Sequence, residues 1–316
     1  MIRILANDGI DPAGKALLET VGFYVETEHI PQDLLPQQLN NFDALTVRSA
    51  TKVRQTLIDA CPNLKLIGRG GVGMDNIDVE YAREKGVAVV NTPASSSLSV
   101  AELVFAHLFT GIRFLQDSNR KMPTEGNTKF NELKKAYAKG IELRGKTIGI
   151  MGFGRIGREV AKIAMGLGMK VIAYDLHPFD TELALELGDG QLVKVLVKTA
   201  SREEVIAQSD FISLHVPFSP EPILGTAEFA AMKKDAAVVN ASRGGTIDEE
   251  ALLEALNSGK LAFAGLDVFD NEPTPRQDIL THPKISLTPH IGASTNEAQE
   301  RIGLELATLI IQYFSK

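Results

Sequence analysis

Residues 146–175, KTIGIMGFGRIGREVAKIAMGLGMKVIAYD, read as an apolar strand, a glycine turn, an amphipathic helix and a second strand that stops on an acid, Asp175. In such a unit Gly152 permits the tight turn, Gly154 lets backbone N–H groups approach a pyrophosphate, and Gly157 lets the helix lie close to the strand. The helix opens at Arg155 and Ile156, where the first backbone N–H groups have no partner within the helix and can carry an anion. Ile156, Val160, Ile163, Ala164 and Leu167 fall on one face at helical spacing, as a crossover helix requires. Glycines punctuate many strand-to-helix turns, so the acid matters. Asp175 closes the strand Val171 to Tyr174 where a carboxylate accepts hydrogen bonds from the adenosine ribose hydroxyls. It would repel a 2′-phosphate, and Leu176, His177 and Pro178 follow without an arginine, so NAD is expected rather than NADP.

Outward from this unit the pattern repeats. Before it, apolar runs at Ile2 to Leu5, Ala44 to Val47, Leu64 to Ile67 and Val87 to Val90 alternate with helix-like stretches. After it come Phe211 to Val216, Ala237 to Asn240, Phe263 to Asp267 and Ile285 to Thr288, with a helical stretch at Asp248 to Ser258. Such alternation predicts an α/β protein with two doubly wound parallel sheets. Ser95 to Phe114 and Asn296 to Phe314 read as helices passing between the blocks. The first domain is then discontinuous, residues 1–96 and 291–316, with a domain of residues 97–290 inserted and a ligand cleft expected between them.

With 316 residues, a net charge of −7 and no long basic run, neither nucleic acid nor an anionic membrane is the expected partner. Cys61 is the only cysteine, which excludes an intrachain disulfide or a cysteine metal cluster and fits a reducing, cytoplasmic setting. No signal-peptide pattern is seen, and no apolar stretch reaches the ~20 residues that span a bilayer.

Ligands of open α/β sheets sit beyond the carboxyl ends of the strands. Three polar residues follow strand candidates there: Arg243 in NASRGG, Glu272 in DVFDNEP and His290 in LTPHIGAS. Singly, each has a bland explanation: a loop-bridging arginine, a solvated acid, a helix-capping histidine. His29, His107, His177 and His282 read as structural or solvent-facing, with no metal-ligand spacing.

The ordered motifs GRGGVGMDNID from Gly68, NTP from Asn91, AEL from Ala101, GFGRIG from Gly152, LHVP from Leu214, NASRGG, GLDVFDNEP from Gly265 and TPHIGAST from Thr288 carry a resemblance to the D-isomer-specific 2-hydroxyacid dehydrogenases over essentially the whole chain. That resemblance implies a Rossmann NAD-binding domain inserted into a flavodoxin-like substrate (lid) domain, with Arg243, Glu272 and His290 catalytic. It places Val72, His215, Val216, Pro217, Ala241, Ser242, Asp267 and Gly292 along the cofactor, with Asp267 near the nicotinamide carboxamide. A homodimer follows, built through an arm near 119–145. There the stretch Met122 to Glu142 carries Lys129, Lys134, Lys135 and Lys139, either as a solvated helix or as added attraction for an acidic substrate.

The chemistry accounts for these residue types. Oxidising a 2-hydroxy acid removes the hydroxyl proton while hydride leaves C2, and His290 is suited to exchange that proton. Glu272 on the other ring nitrogen would fix the tautomer and favour the imidazolium. Arg243 can grip the substrate carboxylate and polarise the C2 oxygen.

Within the family the likeness is greatest to short enzymes that oxidise D-3-phosphoglycerate to 3-phosphohydroxypyruvate, the first step of serine biosynthesis, without a regulatory ACT extension. VRSATKV from Val47 carries it. Arg48, with Arg69, Gly71, Val72 and the neighbouring backbone amides, would form the anion-binding loop for a phosphorylated substrate. A surface ion pair is the plain alternative for Arg48. A glyoxylate or hydroxypyruvate reductase shares the catalytic trio, and a non-catalytic NAD-sensing corepressor shares the fold.

Overall fold

Helices between successive strands force each strand to re-enter its sheet in the same direction, so the apolar runs assemble into parallel sheets. The computed structural model describes residues 1–315 and divides into two compact units, Met1–Ser99 with the segment from Ala293 onward, and Val100–Gly292.

The first unit runs β1 (Arg3–Ala6), α1 (Pro12–Thr20), β2 (Tyr24–Glu26), α2 (Leu35–Gln38), β3 (Ala44–Val47), α3 (Gln55–Ala60), β4 (Leu66–Arg69), α4 (Val79–Glu84) and β5 (Ala88–Asn91). All five strands are parallel, in the order β2-β1-β3-β4-β5. Successive side chains leave a strand on opposite faces. Leu5, Leu45, Val47 and Ile67 accordingly pack with Leu35, Leu57, Ile58 and Ala82 of α2 to α4. Ile4, Ala6, Ala44 and Leu66 instead pack with Leu18 of α1 and with Leu306, Ala307 and Ile310 near the end of the chain.

The second unit contains most of α5 (Ser97–Ile112), then α6 (Leu115–Glu125), α7 (Phe130–Ala136), β6 (Thr147–Met151), α8 (Arg155–Gly166), β7 (Lys170–Tyr174), β8 (Asp180–Glu186), β9 (Leu192–Lys198), α9 (Arg202–Gln208) and β10 (Phe211–Leu214). It continues through α10 (Thr226–Ala231), β11 (Ala236–Asn240), α11 (Glu249–Asn257), β12 (Leu261–Leu266), α12 (Gln277–Thr281) and β13 (Ile285–Leu287). α13 (Asn296–Phe314) belongs to the first unit. The six-stranded parallel sheet has the order β13-β12-β11-β10-β6-β7, and β8 and β9 form a separate antiparallel hairpin.

Three details differ from the reading of the sequence. The division falls two to three residues later than the expected 96/97 and 290/291 boundaries, because the first turn of α5 stays with the first unit. The alternating run QLVKVLVKT does form a strand, but it is paired with Asp180–Glu186 across Gly188-Asp189-Gly190. Leu183 and Val197 face the core while Glu182–Lys194 and Asp180–Lys198 pair outside. β2 has only three residues and was not anticipated.

Within the first unit α13 packs on α1 through a contact of backbone on backbone. A Cβ added at Gly14 of α1 would lie 2.5 Å from the carbonyl oxygen of Gly303 of α13, which no rotamer change can relieve. Gly14→Ala is expected to destabilise the full chain by about 1–3 kcal/mol through overpacking. A urea unfolding midpoint equal to that of the parent would contradict this.

Candidate active site

The glycine turn after β6 is built as a dinucleotide cradle needs. Gly152 has φ +93°, and a Cβ there would lie 2.4 Å from the His215 carbonyl oxygen. A Cβ at Gly157 would lie 2.3 Å from the Gly152 oxygen, whereas Gly154 faces open space. Gly154 caps α8 without a side-chain hydrogen bond, and the first turn, with Arg155 and Ile156, carries no acid. These N–H groups are therefore presented to an anion. Asp175 Oδ2 accepts from Phe153 N at 2.8 Å, so one carboxylate oxygen ties the turn to the end of β7. At the end of β10, His215 Nε2 lies 2.8 Å from Ser213 Oγ, and its buried Nδ1 has no hydrogen-bond partner among the described residues. Burial pushes this imidazole down to about 3, so it is neutral near pH 7. Val216 and Pro217 follow directly. Backbone donors, an acid for ribose and an orphaned buried nitrogen fit NAD.

The neighbouring strand ends carry Arg243, Glu272 and His290, the three residues expected to be catalytic. After β11, Asn240 Nδ2 donates to the Arg243 carbonyl at 2.9 Å and to Thr246 Oγ1 at 3.0 Å, and Ser242 N donates to Asn240 Oδ1 at 3.0 Å. These bonds shape the Ala241–Gly245 loop, and Arg243 Nη1 donates to the Ser242 carbonyl at 2.6 Å. Gly244 brings this loop against the next one, since a Cβ there would lie 2.0 Å from the Phe269 oxygen. In that next loop, after β12, Phe269 N donates to Glu272 Oε1 at 3.0 Å and Asp270 N to Glu249 Oε1 at 3.0 Å. Glu249 is buried, and burial pushes its carboxyl up.

Glu272 Oε2 lies 2.8 Å from His290 Nδ1. Burial alone would raise the Glu272 carboxyl, but the hydrogen bonds from His290 and Phe269 N, with nearby Arg243, hold it below the usual carboxylate range. It is therefore ionised near neutrality and fixes Nδ1 as the donor. Nε2 is left to exchange a proton, and the His290 side chain is 46% exposed. His290 has φ +54°, a left-handed conformation uncommon outside glycine. The expected placement of Asp267 beside the nicotinamide is joined by a different finding. Asp267 is 1% exposed, and its carboxylate accepts from Ile291 N and Gly292 N at 2.8 Å each and from Thr288 Oγ1 at 2.6 Å. It clasps the turn that carries His290.

In the first unit, Asp8 Oδ2 accepts from Arg48 N at 2.7 Å and Thr51 N at 3.1 Å, and Asn76 Nδ2 donates to the Arg48 carbonyl at 3.0 Å. The loop is held by its backbone. Arg48 lines a cavity of about 240 Å³ together with Asp8, Gly70, Gln299 and Ile302. Its guanidinium makes no hydrogen bond or ion pair with the described residues. Arg69 and Gly71 are not on that cavity: Arg69 Nη1 donates to the Gly70 carbonyl at 3.0 Å and folds over Gly71, where a Cβ would strike it. Val72 is 37% exposed, its carbonyl held by Asn91 Nδ2 at 2.8 Å. Asp8, Asn76 and Glu249 escaped the sequence reading, because they serve backbone groups rather than a recognisable motif.

Among the described residues no group of three His, Cys, Asp or Glu side chains is placed to hold a metal, and no single helix is long and apolar enough to cross a membrane. Lys129, Lys134, Lys135 and Lys139 are all exposed, with Lys129 3.2 Å from Glu125.

Residues 105–292 match the profile described as D-isomer specific 2-hydroxyacid dehydrogenase, NAD binding domain. A hydroxypyruvate reductase of Thermotoga maritima is 43% identical, the match covering 98% of this chain and 97% of that protein. A D-3-phosphoglycerate dehydrogenase of Methanocaldococcus jannaschii is 42% identical over 98% of this chain, which spans 57% of that longer relative. The solved D-mandelate dehydrogenase of Rhodotorula graminis superposes with a TM-score of 0.86 at 27% identity, covering 99% of this chain and 94% of that one. The chain thus belongs to the D-isomer-specific 2-hydroxyacid dehydrogenase family and is an NAD-dependent oxidoreductase.

Proposed function

We propose that the protein is a D-3-phosphoglycerate dehydrogenase, interconverting D-3-phosphoglycerate and 3-phosphohydroxypyruvate. The observation that carries this reading is Arg48, a guanidinium without a partner among the described residues, on a cavity whose loop is fixed by Asp8 and Asn76. Such a cation suits a phosphate, which offers several acceptor oxygens. NAD, when bound, takes up or returns the hydride at C2. His290 Nε2 accepts the C2 hydroxyl proton in oxidation and returns it in reduction. Glu272 keeps the imidazole in the right tautomer, and Arg243 holds the carboxylate and the C2 oxygen, where charge gathers in reduction. Hydroxypyruvate reduction is the second reading, supported by the 43% identical relative that spans nearly its whole length.

The same reading includes a cytoplasmic homodimer joined near 119–145, where Met122 and Phe130 are exposed, with sedimentation velocity as its check.

His290→Ala and Arg243→Ala are each expected to lower kcat by about 10²–10⁴-fold. Calorimetric NADH binding should persist, calorimetry being the suitable probe for a chain without tryptophan. Turnover unchanged in His290→Ala would contradict the assignment.

Glu272→Gln removes a negative charge that favours the imidazolium. The pH profile of turnover should therefore be displaced in the variant. A pH profile that stays in place would argue against the pair.

Arg48→Ala should reduce kcat/KM for 3-phosphohydroxypyruvate by about 30-fold or more, the loss typical of a buried charge contact, and that for hydroxypyruvate far less. Parallel assays following NADH with both compounds and glyoxylate decide between the two readings. Equal losses on both substrates, or parent activity confined to hydroxypyruvate, would overturn the phosphate assignment.

A further inference from the structure

His107 lies in α5, far in sequence from the catalytic loops, yet both its ring nitrogens are hydrogen-bonded to the strand that leads into His290. Nδ1 is 2.9 Å from Ser286 Oγ, and Nε2 is 3.0 Å from Thr288 Oγ1. The residue is 2% exposed. A Cβ at Gly265 of β12 would lie 2.6 Å from the His107 Cβ, so the helix and sheet are drawn together at this point.

The hydrogen bonds have a forced direction. Thr288 Oγ1 has one proton, and at 2.6 Å from Asp267 Oδ1 that proton goes to the carboxylate, which can only accept. The Thr288 oxygen therefore receives its other hydrogen bond from His107, which requires a proton on Nε2. Burial lowers the His107 pKa, partly offset by the Asp267 charge, the ionised group that acts on it. In the neutral ring Nδ1 is then the acceptor for the Ser286 hydroxyl.

We propose that His107 is a positioning residue for His290, acting as the Nε2–H tautomer at the head of a relay that runs from His107 through the Thr288 hydroxyl to Asp267. Asp267 grips the turn at Thr288, Ile291 and Gly292, on both sides of a residue held at φ +54°. Left-handed backbone at a non-glycine residue persists only where its surroundings over-determine it. If His107 withdraws its donor, the Thr288 hydroxyl can turn away, the clasp loses one of three holds, and His290 loses its fixed orientation toward Glu272. This inference rests on His290 being the proton-transfer group.

The test uses the full-length enzyme with whichever of hydroxypyruvate and 3-phosphohydroxypyruvate it reduces. His107→Leu keeps bulk without a donor, His107→Gln restores both a donor and an acceptor, and Thr288→Val removes the relay hydroxyl that Thr288→Ser restores. His107→Leu and Thr288→Val should lose about 10- to 100-fold in kcat, the range seen when outer hydrogen-bond partners are removed, while KM for NADH changes less than about threefold. His107→Gln and Thr288→Ser should return to within about fivefold of the parent. Should His107→Leu fail to fold, the Thr288 pair carries the kinetic test. Imidazole ¹⁵N spectra of the parent, assigned by the signal missing in His107→Gln, should show Nε2 protonated and Nδ1 bare near pH 7. A folded Thr288→Val enzyme with parental kcat, or an Nδ1–H tautomer, would overturn the proposal. If His290→Ala remains active, the functional assignment itself has failed, while the tautomer measurement still tests the relay.

Discussion

Parallel pairing of β11, β12 and β13 in register is the constraint on which the site depends. Asn240 pairs with Leu266, and Leu266 with Leu287, so three adjacent strands end at one level. Arg243, Glu272 and His290 follow those ends by only a few residues. No long loop has to search for the others, and the entropy of bringing three side chains together is met when the sheet forms. The glycine turn after β6 and His215 after β10 emerge at the same edge of the sheet.

Loop precision then comes from polar side chains, several of them buried, that stand in for missing backbone partners. Asn240 organises the arginine loop, Glu249 and Glu272 the loop after β12, Asp267 the histidine turn and Asp8 the Arg48 loop. Each takes up N–H or C=O groups that would otherwise be unpaired. This division of labour leaves the His290 side chain 46% exposed while its Nδ1, its backbone and its neighbours are held elsewhere.

The parts legible in the sequence were those with local causes. Gly152 and Gly157 have backbone requirements that only glycine meets, Gly154 leaves the mouth of the turn open, and Asp175 ends a strand, so the turn could be read from one short stretch. The proposed catalytic trio was legible as residues after strand ends and, through the resemblance, as a set. The hairpin after Asp175 was only half legible, because its second strand alternates clearly while Asp180–Glu186 also suits a helix. His107 was read as ordinary because its partners, Ser286 and Thr288, are nearly 180 residues away. Arg69 was expected in an anion-binding loop from its place beside Gly70 to Gly73, and its Nη1 donates to the Gly70 carbonyl, a bond that the sequence does not announce.

The covering of the first sheet by α13 also orders events during synthesis. Ile4, Ala6, Ala44 and Leu66 emerge from the ribosome before the inserted unit, whereas Leu306, Ala307 and Ile310, which shield them, emerge only after the whole of that unit has been made. The inserted unit has all its strands available before then. The nascent chain therefore carries a half-clothed apolar surface while its neighbour matures, a window in which holding chaperones have something to bind.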